Sequence, residues 1–222
     1  MIKRVFCICL ALCMLLGISA FQEEEKTFES LAGQAGEGIS LDQLTAFIEI
    51  PGANILYPVM QHPTDDGFYL EHDPFGNESA SGSLFTQVTY NSAFYTDPVT
   101  VIYGRRMDDE SMFGGLQKLY SGSFESVREI KLYLPGEVRE YTVCAAVPFS
   151  NIHIVHYYNF RLSRSFEAFF DEVYAVRRPG AQLVEAMRPE FGENVIILST
   201  GLRGDATQRY LVIAKNNRTE IN

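Results

Sequence analysis

Read for polarity alone, the chain changes character three times. From Val5 to Phe21 it is apolar almost without interruption, with Lys3 and Arg4 before this run and Glu23, Glu24 and Glu25 after it. Residues 22–40, QEEEKTFESLAGQAGEGIS, are acidic and rich in small residues; they read as a linker with one helical turn around Phe28–Ala32. From Leu41 onward short strand signals dominate. TAFIEI (45–50) alternates until Pro51-Gly52 stops it, and ILYPVMQ (55–61) follows, with Pro58 marking an edge or a bend. SLFTQV (83–88) and VTVIYG (99–104) are further strand candidates, whereas MFGGLQKLY (112–120) has helical spacing despite two glycines. VREIKLYL (127–134), Pro135-Gly136 and EVREYTVCAAVPF (137–149) read as one long hairpin. FEAFFDEVYAV (166–176) predicts a helix with Ser165 as N-cap, one face made of Phe166, Phe169, Phe170 and Val173, and Arg177 to Gly180 as its stop. VIILS (195–199) and YLVIA (210–214) are the last two strands. The pattern predicts a mainly β protein: a closed or nearly closed β-barrel of seven to eight strands with two or three helices. It forms one domain over residues 41–217, followed by a short tail at 218–222.

Charge and cysteine content narrow the picture. Apolar residues make up 46% of the chain and charged residues 21%, ordinary globular usage that argues against disorder. The formal charge is −10, and the apolar N-terminus holds no acid, so the body is more acidic still. Nucleic-acid binding needs clustered Lys and Arg, and this composition excludes it. Residues 1–21 read as a secretory signal peptide, with a cleavage point after Ala20, or as a short N-terminal membrane anchor. Either way the body is exported: extracytoplasmic, and secreted to the cell surface or held there by the membrane. Three of the four cysteines (Cys7, Cys9, Cys13) lie in that segment, which leaves Cys144 as a small hydrophobe inside a strand. His62 and His72 sit in loops near Asp65, Asp66 and Asp73, with no spacing that suggests a metal. No cofactor motif is present, so neither a metal nor a cofactor is expected.

Four local patterns follow one another along the body: IPGANILYPVMQ with YLEHDPFGNESASGSLF behind it, VIYG followed by RRMDDESMFGGLQKLY, HYYNF ahead of the helix, and ILST…RYLVIAK. Taken in this order they resemble the class B sortases, the extracytoplasmic cysteine transpeptidases of Gram-positive bacteria. The resemblance covers Leu41 to Lys215 and implies a sortase-type barrel. It also implies a three-part chemistry: a cysteine closing the motif L-S-T-C attacks a peptide carbonyl, a histidine just after the Y-G pair carries the proton, and an arginine on the following strand steadies the substrate and the oxyanion. Here the first motif reads Leu198-Ser199-Thr200-Gly201, and the second reads Tyr103-Gly104-Arg105. Glycine stands at the nucleophile position and arginine at the histidine position. Only Arg209 matches, so no intact catalytic set is expected. Glycine has no atom that could carry an acyl group, and arginine stays protonated and cannot be a general base.

The residues left to line a binding groove are Arg105, Ser199, Thr200, Gly201 and Arg209, with Arg106 and Arg203 nearby. Two outcomes for these cations stay open. They pair with their own acids, Arg105 with Asp108 or Asp109 and Arg203 or Arg209 with Asp205, or they hold a carboxylate or an acidic peptide segment. Three functions follow. The first is a catalytically degenerate sortase-like binding or assembly factor at the cell surface, whose partner is a peptide segment of a surface protein or pilin. The second is an active, cysteine-independent transpeptidase using Ser199. The third is a purely structural surface domain. His153 and His156, in NIHIVHYY, read as surface or groove-lining residues.

Overall fold

A computed structural model describes residues 25–217 apart from Ser123. The apolar N-terminal run and the tail at 218–222 lie outside the described residues. In chain order the elements are helix α1 (Phe28–Ala35), strands β1 (Leu44–Ile50), β2 (Ile55–Met60), β3 (Leu84–Phe85) and β4 (Val99–Tyr103), and helix α2 (Lys118–Ser121). Strands β5 (Glu129–Leu134) and β6 (Glu137–Ser150) follow, then helices α3 (Ile154–Tyr157) and α4 (Ser163–Tyr174), and strands β7 (Gln182–Leu183), β8 (Val195–Leu202) and β9 (Asp205–Asn216). All nine strands join one sheet in the order β5-β1-β2-β3-β4-β8-β9-β6-β7. Because β5 also pairs with β6, eight of them close into a barrel and β7 hangs as the ninth on the free edge of β6. The expected barrel is therefore present, with one strand more than expected. Two of its ladders are parallel, β2–β3 and β4–β8. Among the described residues no helix is long and apolar enough to cross a membrane.

Period-two alternation assigns each strand residue to a side. Ile48, Ile50, Leu132, Val143, Ile196, Leu198 and Val212 fill the barrel interior, and Phe113 and Leu116 pack in the same cluster. The opposite faces of β4, β6, β8 and β9 carry Val99, Val101, Val147, Ile197, Leu211 and Ile213, and α4 lies across them. Its Phe166, Phe169, Phe170 and Val173 are fully buried, at the spacing of one helical face. That face is the one expected, but the helix starts earlier. Ser165 is not its cap: the residue before the first turn is Leu162, whose carbonyl accepts from the amides of Ser165 and Phe166 at 2.9 and 3.0 Å.

Three other elements differ from the sequence pattern. SLFTQV yields only the two residues of β3, because Thr86 turns aside to take a hydrogen bond from Gln61 Nε2 at 2.9 Å. MFGGLQKLY forms a 3-10 turn at Gly114–Gln117 before α2, since Gly115 sits so close to Ala53 that an added Cβ would meet its carbonyl oxygen at 2.2 Å. Between residues 22 and 40, α1 is capped by Thr27 and packs Leu31 against Phe47 and its neighbours on the barrel's flank.

Candidate functional site

The site is built where the parallel ladder of β4 and β8 ends. Tyr103 pairs with Ser199, and the next amide, Gly104 N, donates to Ser199 O at 3.1 Å. Glycine is required at 104 because a Cβ would lie 2.4 Å from Leu84 and 2.5 Å from Phe113. On the other side of β8, Gly201 pairs directly with Arg209 of β9. Alternation places Tyr103, Ser199, Gly201, Arg209 and Leu211 on the outer face, the face that α4 covers farther along. Thr200 points the other way. It is fully buried between Leu198 and Leu202 on the interior face, and its Oγ1 has no hydrogen-bond partner.

Gly201 is in ordinary extended backbone, not a left-handed turn, and the only atom near an added Cβ is Arg106 Cβ at 3.9 Å. The position has room for a side chain. Its carbonyl accepts from Gln117 Nε2 at 3.3 Å, while Gln117 Oε1 accepts from Arg203 N at 3.1 Å, so one glutamine pins both ends of the turn leaving β8. Nothing in the sequence singled out Gln117; its partners lie far along the chain.

The cations do not behave alike. Arg105 turns away to the segment after β2: its Nε donates to Leu70 O at 3.0 Å and its guanidinium lies 4.0 Å from Glu71. Arg106 pairs with Asp108 at 2.5 Å. Asp205, the expected partner of Arg203 or Arg209, instead takes hydrogen bonds from Thr207 and Gln208. Among the described residues the Arg209 guanidinium has no hydrogen bond and no ion pair. It is near enough to Tyr103 for its charge to oppose the effect of burial, which pushes that phenol's pKa far up; the phenol stays protonated and its buried oxygen has no partner.

Aromatic and histidine side chains border this face. The Tyr103 ring stacks on Phe85 at 5.5 Å and lies 6.5 Å from His153. His153 Nε2 and Gln87 Oε1 are 2.7 Å apart, and Tyr90 meets His153 edge-on at 5.1 Å. Burial, and then the neighbouring His156, hold the His153 pKa below its usual value. A cleft of about 360 Å³ opens beyond them, between Tyr90, Val99, His156, Tyr157 and Arg161. A smaller pocket of about 100 Å³ lies next to Gly201, among Arg106, Asp108, Gln117, Lys118 and Arg203.

The remaining sequence candidates do not join Gly201 and Arg209. Cys144 is buried between Ile213 and Tyr174, and burial pushes its thiol up to about 12. His62 and His72 sandwich Phe68 elsewhere, at 4.5 and 3.9 Å. Among the described residues no three His, Cys, Asp or Glu side chains are grouped to hold a metal.

The chain's likeness to known proteins fits this architecture. No family model matches. Sortase B of Listeria monocytogenes is 32% identical over 81 residues, which is 36% of this chain and 32% of that protein, so the match spans about a third of the relative's length. The structure of Clostridium perfringens sortase B superposes with a TM-score of 0.69 at 22% identity, over 81% of this chain and 96% of that one. A Staphylococcus aureus sortase B–substrate complex gives 0.69 at 23% identity, over 86% and 85%. The fold is that of sortase B.

Proposed function

We propose that this chain, built on the sortase B fold, is a catalytically degenerate sortase-like protein that binds a peptide segment without processing it. The observation that carries this reading is Gly201. At the end of β8, opposite Arg209, where the resemblance puts a nucleophile, there is room for a side chain and none is present. The position expected to carry the proton holds Arg105, permanently charged and tied to Leu70 and Glu71. Loss of a nucleophile in comparable covalent machinery costs on the order of 10⁶ in rate.

Among the described residues, neither Cys144 nor Ser199 is placed to restore the missing steps. Cys144 is buried on β6 beneath α4, farther along the sheet, with its thiol protonated. Ser199 shares the face with Gly201 but is only 2% exposed, and the histidine bordering the face, His153, is engaged with Gln87. The partner is an extended peptide segment of a surface protein or pilin, supported by the substrate held in the S. aureus complex. The place of action is the extracytoplasmic face of the cell, supported by the polarity of residues 1–25.

The test is incubation of the purified protein with class B sorting peptides and an amine acceptor. Binding should be measurable by calorimetry, while mass spectrometry should find neither cleavage, transfer nor a covalent adduct. Turnover that Ser199→Ala abolishes would overturn the reading.

A further inference from the structure

Resting on that reading, we infer that the groove receives a carboxylate of its peptide partner, held by Arg209 over the empty space at Gly201. The observation is a mismatch in charge pairing. Acids outnumber bases in this chain, 28 to 18, and most described cations have found one. Among the described residues three guanidiniums have no hydrogen bond and no ion pair: those of Arg164, Arg203 and Arg209. Arg164 and Arg203 are exposed and solvated. Arg209 is half-buried, so its charge has lost part of its water without gaining a partner.

Two further features point to an acceptor that the chain does not supply. The Tyr103 hydroxyl, on the same face and within the influence of Arg209, is buried with no partner. A donor left in that state costs stability unless something accepts from it. Directly across the ladder from Arg209, Gly201 presents no side chain, and Arg106 Cβ at 3.9 Å is the nearest atom to where one would begin. A peptide can therefore lie close to the strand and present a planar anion to the guanidinium fork, the geometry in which arginine surpasses lysine. Asp205 is the acid best placed in sequence to quench Arg209, and Thr207 and Gln208 occupy it.

A peptide carboxylate comes from two sources, the chain terminus or an Asp or Glu side chain, and the experiment separates them. Three pools of acetylated tetrapeptides are titrated into the full chain: neutral sequences as free acids, the same sequences as amides, and amides with one fixed internal Glu. Binding is read by calorimetry and by the Arg209 Nε–Hε NMR signal. The free-acid pool, the Glu pool, or both should bind more tightly than the neutral amides and shift that signal; whichever does so names the source. Arg209→Gln should weaken the preferred pool roughly tenfold to a hundredfold and bring it down to the level of the neutral amides. Arg209→Lys should keep part of the preference, and Gly201→Val, which leaves Arg209 untouched, should block all pools. Thermal melts confirm that each variant is folded. Equal binding of all three pools, unchanged by Arg209→Gln, overturns the carboxylate but keeps the groove. No binding of any pool overturns both.

Discussion

Gly201 and Arg105 were legible as departures because each sits inside a contiguous motif. What their neighbours do was not legible, since Arg105 reaches back to Leu70 and Glu71 and Gln117 reaches forward to Gly201 and Arg203. A linear pattern holds no record of such pairings. The geometry makes restoration a sharp test. Gly201 is in extended backbone with room for a Cβ, so a cysteine there meets no strain. Exchanging Arg105 for histidine releases the tie to Leu70 and supplies a group that titrates near neutrality. The double variant Gly201→Cys with Arg105→His should form a thioacyl adduct with a sorting-type peptide, seen by mass spectrometry, and either change alone should give little. A folded double variant with an alkylatable thiol and no adduct would mean that the groove no longer accepts such peptides. Among the described residues the one other thiol, Cys144, is silent. Burial holds its thiol at about 12, so iodoacetamide at pH 8 should leave it unmodified in the native protein and label it after denaturation.

At the scale of elements, the sequence was most readable where a turn signal separates two strong runs. Pro135-Gly136 marks the β5–β6 hairpin, and Leu134 pairs with Glu137 across it. It was least readable where tertiary packing overrides local preference. MFGGLQKLY has helical spacing, yet its first turn is 3-10 because the backbone at Gly115 is pressed against Ala53. That contact yields a prediction. Gly115→Ala forces a methyl group into a carbonyl at 2.2 Å, so the turn must shift, at a cost of about 1–3 kcal/mol or more. A lowered Tm together with loss of the Gln117 contacts to β8 would be seen by melting and NMR; an unchanged Tm would show that the turn yields freely. Helix α4 gives a second. Phe169 is fully buried against Phe149, Tyr158 and Phe160, and Phe169→Ala should destabilise the domain by about 3–5 kcal/mol, measured by chemical denaturation.

For the whole molecule, acid sensitivity has an identifiable source on the barrel's flank. Glu49 of β1 is bound by Lys26, just ahead of α1, and by Tyr133 of β5. Burial pushes its carboxyl up, but the hydrogen bonds from Lys26 and Tyr133 outweigh it, so the pKa lies below its usual 4.5. A depressed carboxylate adds stability that is fully present above the unfolded value and disappears as pH falls through the folded one. Glu49→Gln should therefore be less stable than the parent at pH 7, and the difference should shrink below about pH 4.5 in urea titrations. The β4–β8 ladder has a consequence of another kind. It joins Val99 to Val195, so the barrel closes only when strands from opposite halves of the chain meet. The entropy of that long loop must be lost before any contact across it is gained, which makes for slow, cooperative folding. Tyr103 and Arg209 belong to different strands on the two sides of β8, so their site does not exist until β4 and β9 have both joined it. A peptide captured there would act as a latch on the slowest step and prolong the lifetime of the entire folded domain, not merely quieten the loops around it.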